Sequence, residues 1–238
     1  MLSAIPSARE PEMLILALDT TTSCGSVALL EKTNLLAEIN IFSGSSHSAR
    51  LLRSVDELLR VNSVSIKDIE GFAVAVGPGS FTGIRIGLST VKAFSLASGR
   101  PVAPVSTLEA LAFKLRDFQG RLVCPVLDAK KGEIFAALFE FRAAGREAVI
   151  PEGAYKPDWF FSQLPGHRVI SFLGSGTDVF REKIFAYLKD KARFPSRSAF
   201  LGYEVGLLGC EILKRGRGLS GEDLKPHYLR RSQAEEKR

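Results

Sequence analysis

The chain has 238 residues, 45% of them hydrophobic and 24% charged, with a formal net charge of +6. That length supports one large domain or two small ones, the balance is that of a globular protein, and no stretch approaches the roughly 18 consecutive apolar residues of a membrane span. The basic excess permits a nucleic-acid partner and equally fits a merely basic surface, while three widely spaced cysteines without a C-x-x-C pair point to reduced thiols in the cytoplasm.

Residues 1–12 hold Ser, Pro, Arg and Glu but no sustained apolar stretch. They read as a disordered extension rather than a signal peptide, with Met13 as an alternative start. Apolar runs then predict strands over 14–19, 26–31 and 35–42, separated by the polar turns 20–25 and 32–34. From 47 to 60 the period changes. Leu51, Leu52, Val55, Leu58 and Leu59 recur at helical spacing and Arg50, Arg53, Glu57 and Arg60 fall largely opposite, which predicts an amphipathic helix. A strand over 71–76 follows, then a helix over 80–98, a short strand over 102–105 and a helix opened by Ser106 or Thr107, with Ser106-x-x-Glu109 as a capping box.

The pattern restarts after Gly120. Strands are predicted over 121–127, 133–141 and 148–151, with 128–132 as a turn, and a further strand over 169–173. Gly174-Ser175-Gly176-Thr177 should open a helix over 178–190, and a last helix over 198–214 carries Gly202, Gly206 and Gly209 inside it. Strands joined by short turns and then parallel strands reached through helices make a mixed sheet covered by helices. A second, weaker copy of this arrangement implies two lobes, 13–105 and 106–224, and a basic tail, 225–238.

The stretch richest in chemistry is Gly77-Pro78-Gly79-Ser80-Phe81-Thr82-Gly83-Ile84-Arg85-Ile86-Gly87. A buried strand running into a glycine-rich turn and a helix is a layout in which backbone N–H groups face a phosphate or a carboxylate. It lacks the Lys-Ser/Thr ending of a Walker A loop and the spacing of G-x-G-x-x-G. Gly83 and Gly87 share one face of a helix that is apolar nearly all round, so that helix sits between layers of its own fold or meets another protein. Asp19, Thr20 and Thr21 offer phosphate contacts; the competing reading, which is favoured, is that they cap their own turn through side-chain-to-backbone bonds. Gly79, Ser80 and Asp128 are the other candidate phosphate contacts. Lys130 and Lys131 read as solvated, and Gly174 to Thr177 either approach an adenine or start a helix.

The repeated units, each opening with a strand and an acidic turn, resemble the actin-like ATPase (ribonuclease H-like) fold. Further strings narrow the resemblance: Ile15 to Thr22, His47-Ser48-x-x-Leu51-Leu52, Gly77 to Gly87, Ser106 to Leu111, Asp128 to Ile134, and Pro226-His227-Tyr228-Leu229-Arg230-Arg231. Together they are similar to the TsaB (YeaZ-like) family, tightly up to about residue 135 and loosely from there to the tail. The resemblance implies a cytoplasmic, non-catalytic scaffold. It would dimerise with the catalytic paralogue TsaD and work with the ATPase TsaE to make threonylcarbamoyladenosine at position 37 of tRNAs reading codons that begin with A. The paralogue carries a His-x-x-x-His metal pair on a helix after its own Gly-Pro-Gly helix; the matching positions here are Thr107 and Leu111, so no metal and no required cofactor are expected.

A homodimer is expected when the partner is absent, while a nucleotide in a vestigial cleft or at the partner interface and weak or indirect tRNA contact, by the tail or otherwise, stay open. The proposed interface uses the outer surfaces of the first two helices, with His47, Leu51, Val55, Leu58, Ile84, Leu88 and Val91 as candidates, and Asp at Val55 or Leu88 as its test. The alternatives are an ATP-dependent phosphotransferase, which needs a second acid beside Asp19, and a peptidase.

Overall fold

Two five-stranded mixed sheets, one from each half of the chain, carry the architecture in a computed structural model that describes residues 13–42, 47–117, 120–143 and 145–230, with 47–49 described by their backbone. The expected extension 1–12 and the end of the tail, 231–238, lie outside the described residues.

The first sheet is built from β1 (Leu14–Asp19), β2 (Cys24–Glu31), β3 (Asn34–Phe42), β4 (Gly71–Gly77) and β5 (Val102–Ser106), in the order β3-β2-β1-β4-β5. β1 to β3 form an antiparallel meander, and β4 and β5 join parallel to β1. The parallel additions require crossovers, supplied by α1 (His47–Val61) and α2 (Phe81–Ser98). The second sheet repeats the plan with β6 (Leu122–Lys130), β7 (Glu133–Arg142), β8 (Gly145–Tyr155), β9 (Ile170–Leu173) and β10 (Ala192–Arg193), in the order β10-β9-β6-β7-β8. β6 to β8 are antiparallel, and β9 and β10 run parallel to β6 and to each other.

Three cores separate the layers. α1 and α2 cover the outer face of the first sheet with Leu51, Val55, Leu58, Ile84, Leu88 and Val91. α3 (Thr107–Phe113) and α7 (Gly202–Lys214) lie in a central core that draws on both sheets. α4 (Pro157–Ser162) and α6 (Arg181–Leu188) cover the outer face of the second sheet around Phe160, Phe161 and Phe172. The short α5 (Gly176–Val179) lies against β6. Among the described residues no helix is long and apolar enough to cross a membrane.

Several expectations change. The helix expected over 178–190 is two, broken at Phe180. The turn after β6 is later than expected, because β6 continues to Lys130 and reverses through Lys130, Lys131 and Gly132, all at positive φ. β8 is an 11-residue strand where four residues were expected, its polar and half-exposed edge hiding the alternation. α4 and β10 were not foreseen: six and two residues are too short to show a period.

The last helix, expected within the second lobe, packs on the first sheet, because its glycines leave room only there. A Cβ on Gly209 would stand 2.3 Å from the Cβ of Ala73 on β4, and one on Gly206 would stand 2.2 Å from Leu30 on β2. The Ser26 hydroxyl, also on β2, accepts from the backbone N–H groups of Leu201 and Gly202 and satisfies the start of α7.

Candidate functional site

The turn after β1 and the start of α2 form one unit. The glycine face of α2 meets this turn and not another chain: a Cβ on Gly83 would lie 1.9 Å from the Thr20 carbonyl oxygen, and one on Gly79 would lie 2.2 Å from that of Thr21. Bare backbone lets the segments touch. The Thr20 hydroxyl donates to the Gly83 carbonyl at 2.7 Å, and the Ser80 N–H donates to the Thr21 carbonyl at 2.7 Å. The Ser80 hydroxyl, as N-cap of α2, accepts from the Gly83 N–H. Two of the N–H groups that a phosphate cradle would use at this turn, those of Ser80 and Gly83, are therefore spent inside the fold.

Asp19 closes the same turn. Its Oδ1 accepts from the Thr21 N–H at 2.8 Å and from the Thr21 hydroxyl at 2.7 Å, the side-chain-to-backbone arrangement of a turn cap. Asp19 is fully buried, and its Oδ2 has no hydrogen-bond partner. Burial pushes its pKa up to about 6, against the lowering effect of the two Thr21 bonds and of the Lys114 charge. Thr20 and Thr21 are buried as well, and Thr21 accepts from the Thr107 hydroxyl across the start of α3.

Outside this buried unit the lobes enclose a cavity of about 450 Å³. Thr21, Gly79, Ser80 and Asp128, four of the six candidate phosphate contacts, line it, while Asp19 and Thr20 lie beneath its wall. Lys130 and Arg230 also face it, but Lys130 pairs with Asp128 at 2.7 Å and Arg230 reaches Glu133 at 3.3 Å. The Lys130 ammonium and N–H hold the Asp128 carboxyl below the usual range even though its burial works the other way.

The C-terminal segment, foreseen only as a basic tail, straps the lobes together. Leu224 is buried among the side chains under α1 and α2, and the His227 N–H donates to the Val76 carbonyl at 2.8 Å. Tyr228 packs on Phe81 with ring centres 4.6 Å apart. From the second sheet, Glu152 accepts from the Ser106 hydroxyl at 2.5 Å and faces His227 Nε2 at 3.5 Å, which raises the imidazole pKa. Ser106 caps α3 through the N–H groups of Leu108 and Glu109, but Glu109 pairs with Arg146 and leaves the expected capping box half made. Sequence reasoning missed Glu152, because nothing local marks a strand carboxylate that meets residues 46 and 75 positions away.

The interface candidates need correction. Leu51, Val55, Leu58, Ile84, Leu88 and Val91 are 0–4% exposed and hold α1 and α2 onto the first sheet, so they are not available to a partner. Asp at Val55 or Leu88 would test the core instead. The His47 side chain lies outside the described residues. The faces turned outward carry Leu52, 53% exposed, with Arg53, Asp56 and Arg60 on α1, and Thr82, Arg85, Ser89, Ala93 and Leu96 on α2. Along α2 this face holds a shallow groove in which Thr82, Ser89 and Thr90 lie between the larger Phe81, Arg85 and Ile86.

Comparison with known proteins follows the same architecture. A family model described as "TsaD: tRNA N6-adenosine threonylcarbamoyltransferase" matches residues 42–236. The tRNA threonylcarbamoyladenosine biosynthesis protein TsaB of Bacillus subtilis is 32% identical, over 94% of this chain and 97% of its own length. The chain belongs to the TsaB family. The Escherichia coli TsaB is 30% identical over 93% of this chain and 96% of its own. Among solved structures, YeaZ from Pseudomonas aeruginosa superposes with a TM-score of 0.76 at 27% identity, covering 91% of this chain and all of its own. A 2-hydroxyisocaproyl-CoA dehydratase activator from Clostridium difficile, solved with bound ADPNP, has a TM-score of 0.51 at 11% identity. That likeness is one of fold, the actin-like ATPase fold of two mixed sheets with helices.

In this TsaB-family chain Thr107 and Leu111 are 0% and 4% exposed on α3, in the central core. Leu111 has no donor atom, and the Thr107 hydroxyl is committed to Thr21. Among the described residues no group of three or more His, Cys, Asp or Glu side chains could hold a metal ion.

Proposed function

We propose that this chain is the non-catalytic scaffold subunit for threonylcarbamoyladenosine synthesis on tRNA, docking on the catalytic paralogue TsaD and working with the ATPase TsaE in the cytoplasm. The observation that carries the reading is the full-length similarity to the B. subtilis and E. coli biosynthesis proteins. The residues are consistent with a supporting role. Asp19 is bound into its own turn and Asp128 is paired with Lys130, so neither stands ready with a second acid to hold Mg²⁺ for phosphoryl transfer. Ser106, Glu152 and His227 do not form a nucleophile set either, because the carboxylate stands between hydroxyl and imidazole and leaves no base on the serine.

The partner's helix packs on the outward faces of α1 and α2, where Ser89 and Ala93 allow close approach and Leu52 supplies apolar area. The same faces would pair two copies when the partner is missing. The test is co-purification with the catalytic paralogue. Ser89→Arg and Leu52→Glu, both on exposed positions, should weaken association at least about tenfold and leave the melting temperature unchanged. Undiminished association by both variants would place the interface elsewhere.

A further inference from the structure

A groove of about 620 Å³ opens beside the β9–β10 edge of the second sheet, lined by three arginines, Arg121, Arg168 and Arg193, and by no acidic residue. Its walls follow from the register. Arg193 on β10 pairs with Ser171 on β9, and Ser171 pairs with Val123 on β6. Ile170 and Phe172 point into the aromatic core, so Ser171 faces the other way. Arg121 and Arg168 stand just before β6 and β9, and both residues line the groove.

Two details mark the groove as more than a solvated surface. Ser171 is 3% exposed, yet among the described residues no hydrogen bond engages its hydroxyl, which lines the groove. Arg193 is anchored from behind, its Nη1 donating to the carbonyls of Asp190 and Ala192 at 2.6 and 3.0 Å, neutral groups that fix the guanidinium without cancelling its charge. The nearby acids are shared: Glu140 takes both Arg168 and Arg142, and Asp190 pairs with Lys191 while also feeling the Arg193 charge. The positive character then continues. Arg181 lies over the Phe194 ring at 4.2 Å and reaches Asp178 at 3.7 Å, and Arg181, Asp178 and Arg197 line the adjoining cavity, which shares Phe194 and Pro195 with the groove and so adds a net positive charge to it. An arginine track of this length fits a chain of phosphates better than a single anion, and guanidinium forks match phosphate oxygens.

We propose that this edge binds the phosphodiester backbone of RNA and holds the tRNA substrate against the second lobe, an assignment that rests on the tRNA-modification reading above. The contact is made to phosphates, so it positions the RNA without reading its bases.

The test measures binding of an unmodified tRNA transcript to the full chain across a potassium chloride series. Arg121→Ala with Arg193→Ala should weaken binding roughly tenfold near 0.1 M salt and make the slope of log K against log salt shallower by about two. Arg168 is kept because it also holds Glu140. A melting temperature equal to that of the unaltered chain shows that the variant is folded. Unchanged affinity and slope would overturn the proposal. So would stabilisation by millimolar inorganic phosphate that the double variant loses while its tRNA affinity stays intact, since the groove would then be a small-anion site. A parallel measurement of threonylcarbamoyladenosine formation with the catalytic paralogue separates the two readings. A raised tRNA KM in the double variant supports the groove, whereas formation that proceeds without this chain breaks the pathway reading and leaves the binding result to stand or fall by itself.

Discussion

The two lobes repeat one sheet plan and differ in how much glycine contact and how much aromatic filling each uses. In the first lobe long helices come close through glycines, α2 and the turn before it onto the Thr20–Thr21 backbone through Gly83 and Gly79, and α7 onto Ala73 of β4 through Gly209, whereas the second lobe has such a contact where Gly174 meets the Val126 carbonyl before the short α5. In the second lobe the outer face is filled by rings, with Phe160 and Phe161 edge to face, Tyr155 stacked on Phe160 at 5.0 Å and Phe172 stacked on Phe194 at 5.7 Å. The helices follow suit, with 15 and 18 residues on the first sheet's outer face and six and eight on the second's. A close backbone contact tolerates one residue type at each point, whereas an aromatic cluster can be refilled by other large side chains of similar total volume.

The sharpest way to break this comparison is Gly209→Val. A branched side chain would enter the space of Ala73, and the lobe should lose its folded state or at least about 4 kcal/mol, read as the loss of a cooperative melting transition. Phe160→Ala in the second lobe should cost about 3–5 kcal/mol, while Phe160→Leu should recover most of it, measured by denaturant midpoint. If Gly209→Val melts normally, the backbone contact is not what specifies the first lobe.

A gentler probe concerns Asp19, whose Oδ2 has no hydrogen-bond partner. Its pKa in the fold, about 6, lies above the ordinary value of 3.8, so the native state holds the extra proton between those values and stability falls as pH rises through that window. The full penalty, about 3 kcal/mol, applies above about pH 6. Asp19→Asn keeps an oxygen for both Thr21 donors and removes the charge. It should raise the melting temperature at pH 8 by several degrees and remove the decline between about pH 4 and 6. A lowered melting temperature at pH 8 would show that the carboxylate charge is used.

Much of the fold was legible where one segment carries its own signal. The apolar runs of β1 and β4, the helical period of α1 and the Ser106 cap of α3 each announce themselves within about fifteen residues. β8 and α4 were harder, one a half-exposed edge and the other a single short turn of helix. The cleft was legible in part: Thr21, Gly79, Ser80 and Asp128 do line one cavity, but Glu152 and the strap through Tyr228 join segments far apart in the chain.

By itself the sequence determined the first sheet's strands, the long helices, the repeated sheet plan and the family, because hydrophobic period, turn residues and motif strings are local properties. Only the tertiary structure decided which face of each helix is inside. An apolar stripe reads the same whether it covers its own sheet or a partner's helix, and Leu51 to Val91 proved to be core once the sheet lay against them. It likewise decided that α7 serves the first sheet and that three distant arginines share one groove, since burial and charge clustering arise from contacts between segments and leave no mark in any one of them.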